Sequence, residues 1–365
     1  MAAPLLFGVL GNLIGMTGTY TVGIVGAAGY TGLELIRLLE GHPSFTVSVV
    51  TGRSDVGHPL GELYASVRGG QPLLLRSTDE ALDALAACSV VFCAMPHGES
   101  YGFVEKFERI SSTVPLIDLS SDFRLKDPSQ YGVWYGRETP ASAAFLAQWV
   151  YGQPELFREE IRGSRRVANP GCFASALLLA AAPLARCGIL GDTVMAHGVS
   201  GTSGAGKSPS ARLHFSHLDE DFSTYRVAGH QHVAEVEQAL ARFTSSTVRV
   251  ALTTSLVPMT RGIQIVLTYA MPDGVTEKQV KEAFLDQYAN EPFVVVLDAP
   301  PHTKAVRGSN MTHLFASVDQ RTQSVTIISV IDNLVKGAAG TAIQNANLVC
   351  GLDETLGLPR IGMYP

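Results

Sequence analysis

The stretch TVGIVGAAGYTGLELIRLLEGHP at residues 21–43, continued by FTVSVVT at 45–51, decides the fold. Its first five residues are apolar, β-branched or glycine and read as a buried strand. Leu33, Ile36 and Leu39 then recur on one helical face, and Gly41-His42-Pro43 stops the helix. The β-branched run at 47–51 resumes as a strand. Strand, glycine turn, helix and strand make one βαβ unit, which predicts a parallel sheet. Apolar runs at 89–95, ending in Pro96-His97-Gly98, and at 114–119, ending in Ser120-Ser121-Asp122, read as further short buried parallel strands.

After Asn169-Pro170-Gly171 the pattern changes to one long Ala- and Leu-rich helix. Strand-like runs follow at 193–199, 247–257, 262–270 and 325–331, then a helical segment at 333–350. At 365 residues the chain exceeds what one hydrophobic core usually supports. The predicted fold class is α/β, with a Rossmann-type dinucleotide-binding domain at 21–168 and an α+β domain with a mixed sheet at 169–332. A C-terminal helical segment at 333–365 is expected to return to the first domain. Residues 1–20 read as a leader of unclear role, with neither the basic start of a signal peptide nor an apolar run long enough to cross a bilayer.

Charged residues make up 16% of the chain and the formal net charge is −6, so there is no basic excess to neutralise a nucleic-acid backbone. Neither nucleic acid nor a membrane is an expected partner. The cysteines, Cys88, Cys93, Cys172, Cys187 and Cys350, are odd in number and lack C-x-x-C spacing. That usage fits a reducing compartment and predicts a cytoplasmic protein.

Gly23, Gly26, Gly29 and Gly32 fall at three-residue spacing where the first strand turns into the first helix. Small residues there let the backbone approach a pyrophosphate, and free N–H groups with the helix dipole favour its charge. Gly26, Ala28, Gly29, Tyr30, Thr31 and Gly32 are the predicted contacts. After the second strand the chain reads Thr51-Gly52-Arg53-Ser54, with no carboxylate before Asp55. Arg53 and Ser54 suit the 2′-phosphate of NADP, where an NAD site places an acid for the ribose hydroxyl.

Cys172 follows a turn and opens a strongly helical run. Free N–H groups and the positive dipole end predict a pKa below the free value of about 8.5, a thiolate able to attack an acyl carbon, and donors for the developing oxyanion. The other four cysteines read as small apolar fillers. His230 and His232 precede an amphipathic run at 236–243, so either imidazole can deprotonate Cys172 and pass a proton to the substrate, with Glu235 orienting it. Spacing does not choose between them. No metal site is expected, because no further histidine lies at a short fixed spacing.

Residues 201–208 match G-x-x-x-x-G-K-[ST] letter for letter, and 325–331 followed by Asp332 can play the magnesium-holding element of a nucleotide triphosphatase. Pro209 sits where the P-loop helix would make its first turns, and 208–217 is a poor amphipathic helix. The preferred reading is a glycine-rich loop whose Lys207 helps to hold an anionic substrate.

These motifs together resemble the N-acetyl-γ-glutamyl-phosphate reductases of arginine biosynthesis, a family related to the aspartate-semialdehyde dehydrogenases. The resemblance runs nearly from Thr21 to the end, through the glycine turn with Glu34-Leu35, 118–124, 151–156, Asn169-Pro170-Gly171-Cys172, 200–207, His230-Gln231-His232 and 332–340. It departs at the leader, at Gln153 and at Val233-Ala234. It implies NADPH-dependent reduction of N-acetyl-γ-glutamyl phosphate to N-acetylglutamate 5-semialdehyde with release of phosphate, through a thioester on Cys172. It also adds Pro96, His97, Ser203, Gly204, Asn333 and Lys336 to the expected cofactor site. Arg124 or Lys207 is expected to hold the phosphate or the α-carboxylate. Aminoadipyl- or aspartyl-phosphate reduction is the alternative within the class, and nucleotide hydrolysis the alternative outside it. The expected assembly is a homo-oligomer, dimer or tetramer, with the mixed sheet as interface.

Overall fold

The computed structural model describes residues 19–365, so nearly all of the predicted leader lies outside the described residues. Seven strands, β1 (Tyr20–Val25), β2 (Phe45–Thr51), β3 (Leu75–Arg76), β4 (Val90–Cys93), β5 (Leu116–Asp118), β6 (Val150–Tyr151) and β7 (Arg166–Ala168), form an all-parallel sheet. Their order is β3-β2-β1-β4-β5-β7-β6. The chain runs outward from β1 to β3 and then returns to the other side of β1. The carboxyl ends of β1 and β4 therefore border a crevice at the point where strand order reverses, the usual ligand position in such sheets.

The second sheet holds β8 (Thr193–Ser200), β9 (Ser223–Arg226), β10 (Arg249–Leu256), β11 (Ile263–Ala270), β12 (Val294–Val296), β13 (Thr312–Asp319) and β14 (Ser324–Ile331). Its order is β12-β13-β14-β11-β8-β10-β9. It is mixed: β8 pairs parallel with β10 and β12 with β13, and the other pairs are antiparallel. The helix Cys172–Arg186 buries its side chains from Phe173 to Ala185 and packs on β11 and β14. Its small alanines let the helix lie close to the sheet, and the two layers form one core. The opposite face is less covered. His197, Val266, Ile328 and Phe315 stand in register across four strands and are only half-buried.

The last segment begins with a π-helical turn, Val335–Ala339, and continues as the helix Gly340–Val349, which packs on β5, on Pro154–Arg162 and on the first helix, Tyr30–Leu39. Arg261, just ahead of β11, reaches across to that first helix and donates to Glu34 through both terminal guanidinium nitrogens, at 2.9 and 2.6 Å. Among the described residues no helix is long and apolar enough to cross a membrane.

Candidate active site

A cleft of about 1090 Å³ runs between the two sheets, lined by the ends of β1, β4 and β5, the Asn169-Pro170-Gly171-Cys172 turn, the glycine loop after β8, and His230 and His232. Cys172 is the first residue of its helix, and Gly171 is the extended cap before it (φ −70°, ψ 150°). The turn is pinned from beneath. Gly171 N–H donates to Glu235 Oε2 at 3.0 Å, and the Tyr151 hydroxyl donates to the same oxygen at 2.9 Å. Arg124 donates to Glu235 Oε1 at 3.0 Å and to the carbonyls of Asn169 and Leu119, both at 2.9 Å. From the other side Gly337 leaves room for Cys172, since a Cβ there would lie 2.8 Å from Cys172 Cβ.

This wall corrects two expectations, on Glu235 and on the Cys172 thiol. Glu235 does not orient an imidazole: His232 Nε2 stands 3.9 Å from Oε1, and the carboxylate is committed to Arg124, Tyr151 and Gly171. Arg124 borders the cleft with its guanidinium fixed in place, three of its N–H groups being committed to a buried carboxylate and two carbonyls. The Cys172 thiol is not acidified. Burial pushes it up to about 11, against the lowering effects of the Phe173 N–H and the Arg124 charge. Desolvation of a thiolate outweighs what one helix end returns.

His232 opens the helix His232–Leu240, with His230 two residues ahead and the rings T-shaped at 4.7 Å. His230 Nδ1 accepts the His232 N–H at 3.2 Å, so the neutral ring carries its proton on Nε2. His232 Nδ1 is buried and has no hydrogen-bond partner among the described residues. Burial, then Arg226, lowers the His230 pKa to about 4, and burial holds His232 well below the ordinary histidine value. Both rings are neutral at pH 7, opposite a protonated thiol.

The first-domain end of the cleft fits a dinucleotide. Gly26 adopts φ +84°, and a Cβ on it would meet Ala94 O at 2.4 Å, so only glycine brings β1 this close to β4. Among the described residues beyond its chain neighbours, a Cβ on Gly29 would come nearest to Gly26 O, at 3.5 Å. The space above Gly29 is cleft, at the start of a helix that lacks a side-chain cap. Ala28, Tyr30, Thr31, Arg53, Ser54, Pro96, His97, Ser203, Gly204 and Asn333 also line it. Asn333 is fixed by the Gly262 N–H at 2.8 Å and donates to Ser203 Oγ at 2.9 Å.

Two predicted cofactor contacts are absent from the lining. Gly32 faces the turn, where a Cβ would lie 2.5 Å from Gly26 O, so it serves helix–strand packing. Lys336 is fully buried, bonded to Glu155 at 2.5 Å and Gln344 at 2.9 Å and set over the Phe293 ring. Its place in a motif tied to the cleft concealed a fold-internal ion pair.

The cleft has further cations that the sequence reading missed. Arg212 lies over the Tyr225 ring at 5.8 Å, and Arg226 donates to Gly229 O at 3.0 Å. Tyr225-Arg226 belongs to β9, a short edge strand just before the histidines, and that proximity was the available signal. The P-loop reading fails on geometry. After Lys207, where the P-loop helix would run, the chain forms only a 3₁₀ turn, Ala211–Leu213, and a four-residue helix, Phe215–Leu218, and Asp332 is tied to the N–H groups of Leu334, Val335 and Gly308.

Residues 21–164 match the family model described as semialdehyde dehydrogenase, NAD binding domain, and 172–333 the one described as semialdehyde dehydrogenase, dimerisation domain. Similar curated proteins bear the name N-acetyl-gamma-glutamyl-phosphate reductase. One from Symbiobacterium thermophilum is 45% identical over 95% of this chain and 100% of its own, and one from Bacillus cereus is 41% identical over 94% and 99%. Among solved structures, aspartate semialdehyde dehydrogenase II of Vibrio cholerae complexed with ASA aligns with a TM-score of 0.70 at 16% identity, over 91% of this chain and 98% of its own. Aspartate semialdehyde dehydrogenase with NADP from Candida albicans aligns at 0.62 and 13% identity, over 91% and 99%. At such identities the likeness is one of fold.

Proposed function

Because the chain belongs to the semialdehyde dehydrogenase family, among its N-acetyl-γ-glutamyl-phosphate reductases, we propose that it reduces N-acetyl-γ-glutamyl phosphate to N-acetyl-L-glutamate 5-semialdehyde with NADPH, releasing phosphate. The observation that carries the chemistry is Cys172 at the start of its helix, on the floor of the cleft that joins the glycine turn to the histidine pair. The choice of acyl group rests on the names of the relatives.

In this reading Cys172 Sγ attacks the acyl carbon, the carbon–oxygen bond to phosphate breaks, and a thioester remains. An imidazole of the pair takes the thiol proton during attack, since both rings are neutral and the thiol is protonated at rest. Bound NADPH supplies the hydride. His230 presents Nε2–H to the substrate oxygen and steadies the oxyanion left by hydride addition; as the carbon–sulfur bond breaks, that oxygen re-forms the aldehyde carbonyl and the proton held by the imidazole pair returns to Cys172 Sγ. Gly26, Ala28, Gly29, Tyr30 and Thr31 hold the dinucleotide, with Arg53 and Ser54 at the 2′-phosphate. Arg53 lies against Glu99 at 2.9 Å and is otherwise exposed, so a phosphate can take it over. Arg212 and Arg226 are the cations left for the substrate's carboxylate and phosphate. The half-buried row His197, Val266, Ile328 and Phe315 is the face for pairing with a second copy.

The test is phosphate-dependent reduction of NADP by N-acetylglutamate 5-semialdehyde, beside the aspartate and aminoadipate semialdehydes. The expected kcat/KM favours the first by about 100-fold. Equal or better use of another aldehyde overturns the substrate assignment.

A further inference from the structure

The glycine loop after β8 is anchored in the second domain, where the Gly201 N–H donates to Gly262 O and Ser203 Oγ accepts from Asn333. Its tip leaves that domain. Gly206 takes φ +77° and ψ −175°, a conformation L residues rarely adopt, and the next residue, Lys207, crosses the cleft. Lys207 Nζ donates to the Tyr64 hydroxyl at 2.9 Å and lies 5.6 Å from the centre of the Tyr64 ring. Tyr64 donates in turn to Ala28 O at 3.0 Å, inside the glycine turn. The ammonium group is thus two hydrogen bonds from the backbone that faces a pyrophosphate.

Two further observations bear on its role. Lys207 is held by a neutral phenol and has no carboxylate partner among the described residues, so an arriving anion need break no ion pair to take it. The histidine side of the cleft already has its own cations in Arg212 and Arg226. From this geometry we propose that Lys207 is a clamp for the dinucleotide pyrophosphate, carried across the cleft by the second domain and parked on Tyr64 until the cofactor arrives. It is not a substrate anchor. The proposal rests on the reading that the glycine turn receives the dinucleotide.

Binding of NADPH and of NADH to the full chain without acyl substrate, followed by nicotinamide fluorescence, tests it. Lys207→Met weakens both dinucleotides by the same factor, about tenfold, because the pyrophosphate is common to them. Lys207→Arg restores affinity to within about threefold. Lys207→Met with unchanged dinucleotide affinity, or with a loss confined to NADPH, overturns the clamp, as does failure of Lys207→Arg to rescue. Failure of the unaltered protein to bind either dinucleotide instead overturns the cofactor reading beneath it.

Discussion

The wall beneath Cys172 and the rim above it are both built with cations, and they use them in opposite ways. In the wall, Arg124 is buried to 4% exposure, and its guanidinium donates to the Glu235 carboxylate and to two carbonyls. On the rim, Lys207, Arg212 and Arg226 are exposed, and their partners are a phenol, an aromatic face and one carbonyl. A charge taken out of water must be matched by the fold itself, so a fully buried cation has little left to offer a ligand. Lys336, paired with Glu155, follows the same logic away from the cleft.

The largest effect that tests this division is on the buried cations. Arg124→Met is expected to cost about 3–5 kcal/mol in urea unfolding, because it strands Glu235, and to lower kcat by loosening the turn before Cys172. Lys336→Met is expected to cost a similar amount while leaving NADPH affinity within about twofold. If Arg124→Met is as stable as the parent and only raises KM, Arg124 belongs with the rim.

Burial of the same wall sets the second effect, on the nucleophile. With the Cys172 thiol raised to about 11, its alkylation by iodoacetamide in the absence of substrate, followed by peptide mass mapping, should keep climbing from pH 7 through pH 10. At pH 8 it should run about 100-fold below a thiol of ordinary pKa, because each unit of pKa elevation removes a factor of ten in thiolate. A plateau near pH 7 would mean that helix dipole and imidazole win over desolvation.

The smallest expected effect is on the rim. Arg212→Gln and Arg226→Gln should each raise KM for the acyl phosphate by about tenfold, with little change in the unfolding midpoint, since exposed cations contribute little to stability. A large loss of stability in either would place that arginine in the fold.

The βαβ unit and the Cys172 turn were legible because local rules coincide there: β-branched strands, a helical face of Leu33, Ile36 and Leu39, and small residues at the turn. The helix Glu277–Tyr288 was readable as well, from the Thr276–Gln279 capping box. So was β13, whose interior alternates Leu314 and Ala316 inward with Phe315 and Ser317 outward. What local pattern does not carry is long-range pairing. Glu235 meets Arg124 across 111 positions and Lys336 meets Glu155 across 181, so the roles of all four depended on which distant residue each would face. The thiol pKa was misread for a related reason: the helix end is a local feature, whereas burial comes from the whole cleft.

The account turns on Cys172 as the covalent nucleophile. The direct measurement is rapid acid quenching of the protein with N-acetyl-γ-glutamyl phosphate in the absence of NADPH, followed by peptide mass analysis. The account predicts an N-acetylglutamyl adduct on the Cys172 peptide, removable by hydroxylamine and absent from Cys172→Ser, together with loss of turnover in that variant. An unmodified Cys172 peptide alongside an active Cys172→Ser protein would contradict it.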